Sequence, residues 1–198
     1  MRRLLPRVIP HFVLASASPR RRQLLKEAGY EFEIVSPPGD EVSHGWLTIG
    51  ELTIWNATRK AQRVSKGLPE AVVLAADTLV TIDGCVLGKP VDLADAAKIL
   101  RRLSGRVHEV WTAVCICHLA RGKSQSFHEI SRVHFRELSD RAIQDYLAKV
   151  NPLDKAGAYA AQGHGTEIIE RIEGSSSNVV GLPMEKTTPA LRSFGVTP

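Results

Sequence analysis

The amino-acid pattern is that of an α/β protein, a single domain whose central sheet is mixed and flanked by helices. Three observations carry that expectation. Residues 71–76 (AVVLAA) are uniformly apolar, the composition of a strand buried on both faces. Segments with helical apolar spacing, at 49–66 and 93–103, alternate with strand-like runs. Two long runs, 107–119 and 126–138, are joined by Arg121-Gly122-Lys123, and a hairpin of that length belongs to a mixed sheet rather than a fully parallel one. No linker, internal repeat or low-complexity stretch divides the chain.

Residues 1–11 read as an arm ahead of a first strand at 12–15. Ser18 then offers an N-cap oxygen, and Pro19 occupies a position whose N–H would be unpaired anyway. Leu24, Leu25 and Ala28 continue at helical spacing, and Gly29 is the stop. Residues 31–35 alternate as a second strand closed by Ser36-Pro37-Pro38-Gly39, with Asp40 and Glu41 on the loop beyond. The helix at 49–66 offers Leu52, Trp55, Ala61 and Val64 to the core and stops at Gly67. The apolar strand 71–76 delivers Asp77 and Thr78 at its carboxyl end. Residues 79–82 and 85–87 flank an Asp83-Gly84 turn as a hairpin, closed by Gly88-Lys89-Pro90. Asp92 caps the helix at 93–103, stopped by Gly105, and Ser139 caps another that runs through Lys149. Residues 151–159 are irregular, 167–172 return as a strand, Gly174-Ser175-Ser176-Ser177 is a loop, and 184–194 form a closing helix.

At 198 residues, 43% hydrophobic and 24% charged, the chain has the length and composition of one globular domain with ample core. A formal charge of +5 favours anionic ligands without demanding nucleic acid. Aromatics at 6%, never interleaved with a basic run, argue against a stacking platform for single strands. Cys85, Cys115 and Cys117 show no metal spacing; the last two share one face of a strand, as in a reduced cytoplasmic protein. Arg2, Arg3 and Ala15-Ser16-Ala17 imitate a secretory signal, but Pro6, Arg7, Pro10 and His11 interrupt its apolar centre. No apolar span approaches the roughly 20 residues needed to cross a membrane.

The chemistry begins at the first helix entry. Arg20, Arg21 and Arg22 crowd its first turn, where cations oppose the helix dipole. Free backbone N–H groups, the hydroxyls of Ser16 and Ser18 and the guanidinium forks of Arg20 and Arg21 together suit a phosphate group; a solvated basic face is the ordinary alternative. Asp77 is the foremost candidate for chemistry, because a carboxylate at the end of an apolar strand needs a cation, a metal or a proton-transfer task. Lys89 lies on a rigid loop near the same hairpin, Lys60 on a helix with Arg59 and Arg63, and Lys155 beside the small residues Ala156-Gly157-Ala158; a turn lysine or a solvated face is the plainer reading of each. Glu41, with Asp40 beside it, could join Asp77 in holding a hard divalent cation through oxygen ligands. The histidines at 11, 44, 108, 118, 128, 134 and 164 show no metal spacing. The absence of a G-x-x-x-x-G-K-[ST] run excludes the P-loop mechanism.

Six motifs then occur in order: Ala15-Ser16-Ala17-Ser18-Pro19-Arg20-Arg21, Ala76-Asp77-Thr78, Gly88-Lys89-Pro90, Asp154-Lys155-Ala156-Gly157-Ala158-Tyr159, Gln162-Gly163 and Val180-Gly181-Leu182-Pro183. On these the chain resembles the Maf family, the septum-formation-inhibitor-like nucleotide pyrophosphatases, from about residue 12 to 195. The resemblance implies a two-lobed mixed α/β fold related to the inosine triphosphate pyrophosphatases. It also implies cleavage of a nucleoside triphosphate between the α and β phosphates, with a divalent metal, Mg or Mn. Asp77 matches the family's proton acceptor, while Arg20, Thr78 and Gln162 match positions associated with substrate choice. Ser-Pro-Arg, Ala-Asp-Thr and Gln-Gly side with the branch acting on dTTP and UTP, against a sister branch acting on 7-methyl-GTP. Two places depart from the family pattern: Ala160-Ala161 stands where Gly-Ile is usual, and residues 43–51, next to Glu41, match poorly.

The implied mechanism has Ser16, Ser18, Arg20 and Arg21 gripping the triphosphate, Lys60, Lys89 and Lys155 spreading its charge, and Asp77 positioning or deprotonating the attacking water. The expected partner is a nucleoside triphosphate, with no stable nucleic-acid complex and no membrane; the oligomeric state, a homodimer included, is left open. The rival from another class is a regulatory protein that binds nucleotide or nucleic acid and acts on cell division.

Overall fold

The computed structural model describes residues 10–37 and 46–198. The strands are β1 (Phe12–Leu14), β2 (Glu33–Ile34), β3 (Val72–Ile82), β4 (Cys85–Leu87), β5 (Val107–His118), β6 (Lys123–Phe135) and β7 (Ile169–Glu173). The helices are α1 (Pro19–Glu27), α2 (Ile49–Gly67), α3 (Leu93–Leu103), α4 (Asp140–Leu147), α5 (Gly165–Ile168), α6 (Ser176–Val180) and α7 (Met184–Ser193). One sheet runs in the order β2-β1-β3-β5-β6-β7, with β4 also paired to β3. It is mixed: β1 is parallel to β2 and β3, and the other pairings are antiparallel.

Local chemistry sets where the helices begin. Ser18 Oγ accepts from Arg21 N at 3.5 Å with Pro19 next to it, Asp92 Oδ1 accepts from Asp95 N at 2.7 Å, and Ser139 Oγ accepts from Ala142 N at 3.2 Å. Each satisfies an otherwise orphaned first-turn donor. Thr48 and Glu51 add a reciprocal capping box at α2 that the sequence pattern did not flag.

Several expectations are corrected. Asp77 does not end a strand. The ladder with β5 runs unbroken from Val73 to Thr81, so Asp77 sits mid-strand opposite Ala113. Trp55 is not a core residue and is 49% exposed. The buried stripe of α2 runs through Asn56, Ala57, Ala61, Val64 and Ser65, and two residues from Ala57 is about 200° round the helix. The second strand shrinks to two residues, and the Gly174-Ser177 loop instead opens α6, capped by Ser175.

The core falls into three clusters. Leu14, Leu25, Leu74, Leu191 and Phe194 pack on one sheet face under α1 and α7. Ala57, Ala61, Ala75 and Ala113 pack on the other, where small side chains bring α2 close to the strands. Beyond the middle of β3, Val80, Leu100, Leu103, Phe135, Ile143 and Tyr146 form a separate nucleus with α3 and α4. The sheet thus carries a core at each end, with the middle of β3 between them. Among the described residues no helix is long and apolar enough to cross a membrane.

In the third nucleus His108 is 2% exposed, its Nε2 lies 2.8 Å from the Tyr159 hydroxyl, and its ring meets Phe135 edge-on. Burial, helped by the nearby His134, lowers its pKa to about 4. The unfolded chain binds that proton near pH 6.5, so neutral His108 contributes stability above 6.5 that is lost as pH falls from 6.5 toward about 4. That gap corresponds to ~3 kcal/mol. His108→Gln, which cannot titrate, flattens the change in urea midpoint between pH 7 and 4; a slope equal to wild type would show that His108 does not drive it.

Candidate active site

The cleft originates in the sheet. On one edge of β3, β1 pairs only residues 72–74 and β4 only residues 80–82. Among the described residues, 75–79 have no strand partner on that edge, while β5 covers the other. A cavity of about 570 Å³ opens there, and its lining includes Ser16, Ser18, Arg20, Arg21, Lys60, Thr78, Lys89, Asp154, Lys155 and Gln162.

One wall is the turn from β1 into α1. Ser16 Oγ accepts from Ser18 N and from Arg21 Nη1, both at 3.2 Å. Arg21 also donates through Nε to the Gly181 carbonyl at 2.8 Å and through Nη2 to Thr78 Oγ1 at 3.0 Å. Its guanidinium therefore ties the β1–α1 turn, β3 and α6 into one frame. Arg20 instead crosses the opening, its Nη1 3.2 Å from Asp154 Oδ2.

The opposite wall is the irregular stretch after α4. Asp154 Oδ1 accepts from Lys155 Nζ at 2.5 Å, and Lys155 Nζ also meets the Asn151 carbonyl at 2.6 Å. Partial burial raises the Asp154 pKa, but the hydrogen bond and charge of Lys155 and the charge of Arg20 outweigh it and hold the carboxyl below its ordinary value. Gly157 follows at φ +73, where a Cβ would stand 3.1 Å from Val80 Cγ1 and 3.2 Å from Tyr159 Cε1. Only glycine suits that turn, and Ala158 after it is itself at φ +62. The Gly157 N–H donates to the Gly88 carbonyl at 3.1 Å, fastening this wall to the loop that carries Lys89.

Asp77 lies beneath this cavity. Alternation along β3 turns Thr78 to one face and Asp77 to the other, under α2. The carboxylate is 1% exposed; Lys60 Nζ is 2.6 Å from Oδ1, and Asn56 Nδ2 donates to Oδ2 at 3.3 Å. Lys60 itself lines the cavity and so stands between Asp77 and the space above. A charge so deeply buried is tolerated because it is paired and hydrogen-bonded.

The structure thus brings Ser16, Ser18, Arg20, Arg21, Lys60, Thr78, Lys89, Lys155 and Gln162 to one cavity, with Asp77 under its floor. Glu41 lies outside the described residues. Asn56 escaped sequence reading, and Asp154 entered it only as part of a motif. Asn56 precedes Lys60 by one helical turn, a spacing that could have found it. Asp154 adjoins Lys155 in an irregular stretch, and its contact with Arg20 across the opening has no local signal.

Among the described residues no group of three His, Cys, Asp or Glu side chains could hold a metal ion. Among the described residues Asp77 is the one acid at the floor of the cavity, and Lys60 engages it at 2.6 Å.

Comparison with known proteins agrees with this arrangement of motifs. The family described as Maf-like protein matches residues 11–194. A dTTP/UTP pyrophosphatase of Pelotomaculum thermopropionicum is 45% identical over 183 residues, covering 92% of this chain and 96% of that protein. Another, from Bdellovibrio bacteriovorus, is 43% identical over 190 residues, covering 93% and 99%. Among solved structures, a HAM1 protein from Coxiella burnetii aligns with 64% of this chain and 73% of its own, at TM-score 0.43 and 18% identity.

Proposed function

The chain belongs to the Maf family, and on that premise we propose that it hydrolyses nucleoside triphosphates to the monophosphate and pyrophosphate. Its substrates in this reading are dTTP and UTP, the nucleotides in its relatives' names, together with modified pyrimidine nucleotides. The observation that carries the reading is the cavity itself, where Arg20, Arg21, Lys60, Lys89 and Lys155 converge above one buried carboxylate. Ser16, Ser18, Arg20 and Arg21 bind the phosphates from one wall, and Lys89 and Lys155 from the other. A triphosphate draws Lys60 from Asp77 toward its own charge, which frees the carboxylate to accept a proton from the attacking water. Water oxygen then bonds to the α phosphorus, the bond from that phosphorus to the α–β bridging oxygen breaks, and pyrophosphate leaves with the electron pair.

The reading includes a divalent cation, Mg or Mn, which Asp77, among the described residues, would help to hold and which would screen the charge of the triphosphate. A cytoplasmic setting suits the three free thiols, Cys85, Cys115 and Cys117. A homodimer is compatible with it; nucleic acid and membrane have no part in it.

A panel of triphosphates with pyrophosphate detection, with and without Mg²⁺ or Mn²⁺, tests the proposal. The expected kcat/KM for dTTP and UTP exceeds that for 7-methyl-GTP by about tenfold or more, and chelation removes the activity. The reverse order overturns the pyrimidine assignment. Tight, salt-sensitive duplex binding without any hydrolysis would support a regulatory protein instead.

A further inference from the structure

The polar side chains buried along α2 are those of Thr53, Asn56 and Ser65. Two of them satisfy themselves within the helix. Thr53 Oγ1 donates to the Ile49 carbonyl one turn back, and Ser65 Oγ donates to that of Ala61 at 2.8 Å. Asn56 instead reaches out of the helix to β3, where its Nδ2 is 3.3 Å from Asp77 Oδ2. A carboxylate only accepts, so the amide donates. Ala57 and Ala61, which share the buried face of the helix, are small and apolar. An apolar side chain of the same size would avoid the cost of burying an amide, which at Asn56 is 4% exposed. The amide therefore stands where a donor to Asp77 is wanted.

Asp77 receives a donor on each oxygen, Lys60 Nζ on Oδ1 at 2.6 Å and Asn56 Nδ2 on Oδ2. The two donors respond differently to a phosphate. Lys60 is charged and lines the cavity, whereas Asn56 is neutral and does not belong to the cavity lining among the described residues. The main chain of Asp77 is held by the β3–β5 ladder, opposite Ala113. The torsion that turns a carboxylate plane is broad and roughly twofold, so the ladder alone does not fix which way the oxygens face. Resting on the reading in which a triphosphate draws Lys60 away, we infer that Asn56 is the positioning residue of Asp77. It stays behind when Lys60 leaves, keeps Oδ2 engaged and so turns Oδ1, the oxygen Lys60 vacates, toward the attacking water. The proton passes from water to Oδ1, and the amide neither gains nor loses one.

The test is kcat and KM for dTTP, read by pyrophosphate release, in wild type, Asn56→Leu, Asn56→Ala and Asn56→Gln, and in Asn56→Leu combined with Asp77→Asn. Asn56→Leu is expected to lower kcat about 10- to 100-fold, the loss that follows a misplaced general base, with KM within about twofold because Asn56 does not face the phosphates. Asn56→Ala removes the amide without refilling its space, so the same split is read even where leucine is not accommodated. Asn56→Gln keeps an amide donor and recovers part of kcat. In the Asp77→Asn background, Asn56→Leu changes kcat by less than about twofold, since a residue that acts through the base has nothing left to act on. A merely structural role would lower kcat by the same factor in both backgrounds, and that result overturns the inference. So does a kcat within about twofold of wild type in both Asn56→Leu and Asn56→Ala; hydrolysis itself stands in either case. A wild type that releases no pyrophosphate from dTTP overturns the reading of the cavity and this inference with it.

Discussion

Asp77→Asn lowers kcat/KM for pyrophosphate release from dTTP by about 1000-fold. The amide has the shape of the carboxylate but cannot take a proton from water. It also meets donors on both sides, since Lys60 Nζ and Asn56 Nδ2 each point at a carboxylate oxygen in the wild type. One amide oxygen cannot serve both, and the NH₂ group is left facing a donor, at a cost of about 1–3 kcal/mol. That cost is small enough for the sheet, held by the long β3–β5 ladder, to remain folded. Pyrophosphate release and circular dichroism on one preparation separate the two effects. Turnover within a few-fold of wild type would remove Asp77 from the chemistry.

Lys60→Met has the largest expected effect on stability. It removes a cation 2.6 Å from a carboxylate whose side chain is 2% exposed, while Lys60 itself is 16% exposed. Removing one partner of a buried ion pair costs about 3 kcal/mol, because the remaining charge stays desolvated without its counterion. For a chain of this size that lowers the melting temperature by about 6–12 °C. Adding Asp77→Asn to Lys60→Met recovers part of the loss, since the stranded charge is gone, and the double-mutant cycle isolates the pair. A single Lys60→Met melting within about 2 °C of wild type would mean that Asp77 is satisfied without Lys60. Activity falls in the same variant, because one of the cations facing the phosphates is lost.

How far the fold was legible depends on the range of the forces involved. Ser18-Pro19, Asp92 and Ser139 marked helix starts because capping is an interaction within one turn. Asp83-Gly84 marked a hairpin for a similar reason, with Asp83 at φ +54 and Gly84 at φ +72. The end of β3 was misread because nothing local to Asp77 reports the ladder to Ala113 and Thr112 that carries the strand onward. Helical spacing groups Trp55 with Leu52 as core, while the alanines of α2 decide which face approaches the sheet. Ordered motifs identified the family and gathered the basic residues, since each motif is a short stretch whose residue types survive without knowledge of contacts.

By itself the sequence determined the α/β alternation, the capped helix entries and the set of side chains fit for phosphate chemistry, because composition and near-neighbour geometry suffice for these. Only the tertiary structure decided which charges meet. Arg20 finds Asp154 across 134 residues, Arg21 finds the Gly181 carbonyl across 160, and Lys60 covers Asp77 from the neighbouring helix. Those pairings depend on where β1 stops and β4 begins along β3, which leaves a gap in one sheet edge. A partner's position across such a gap is fixed by the packing of whole elements, and no local pattern encodes it.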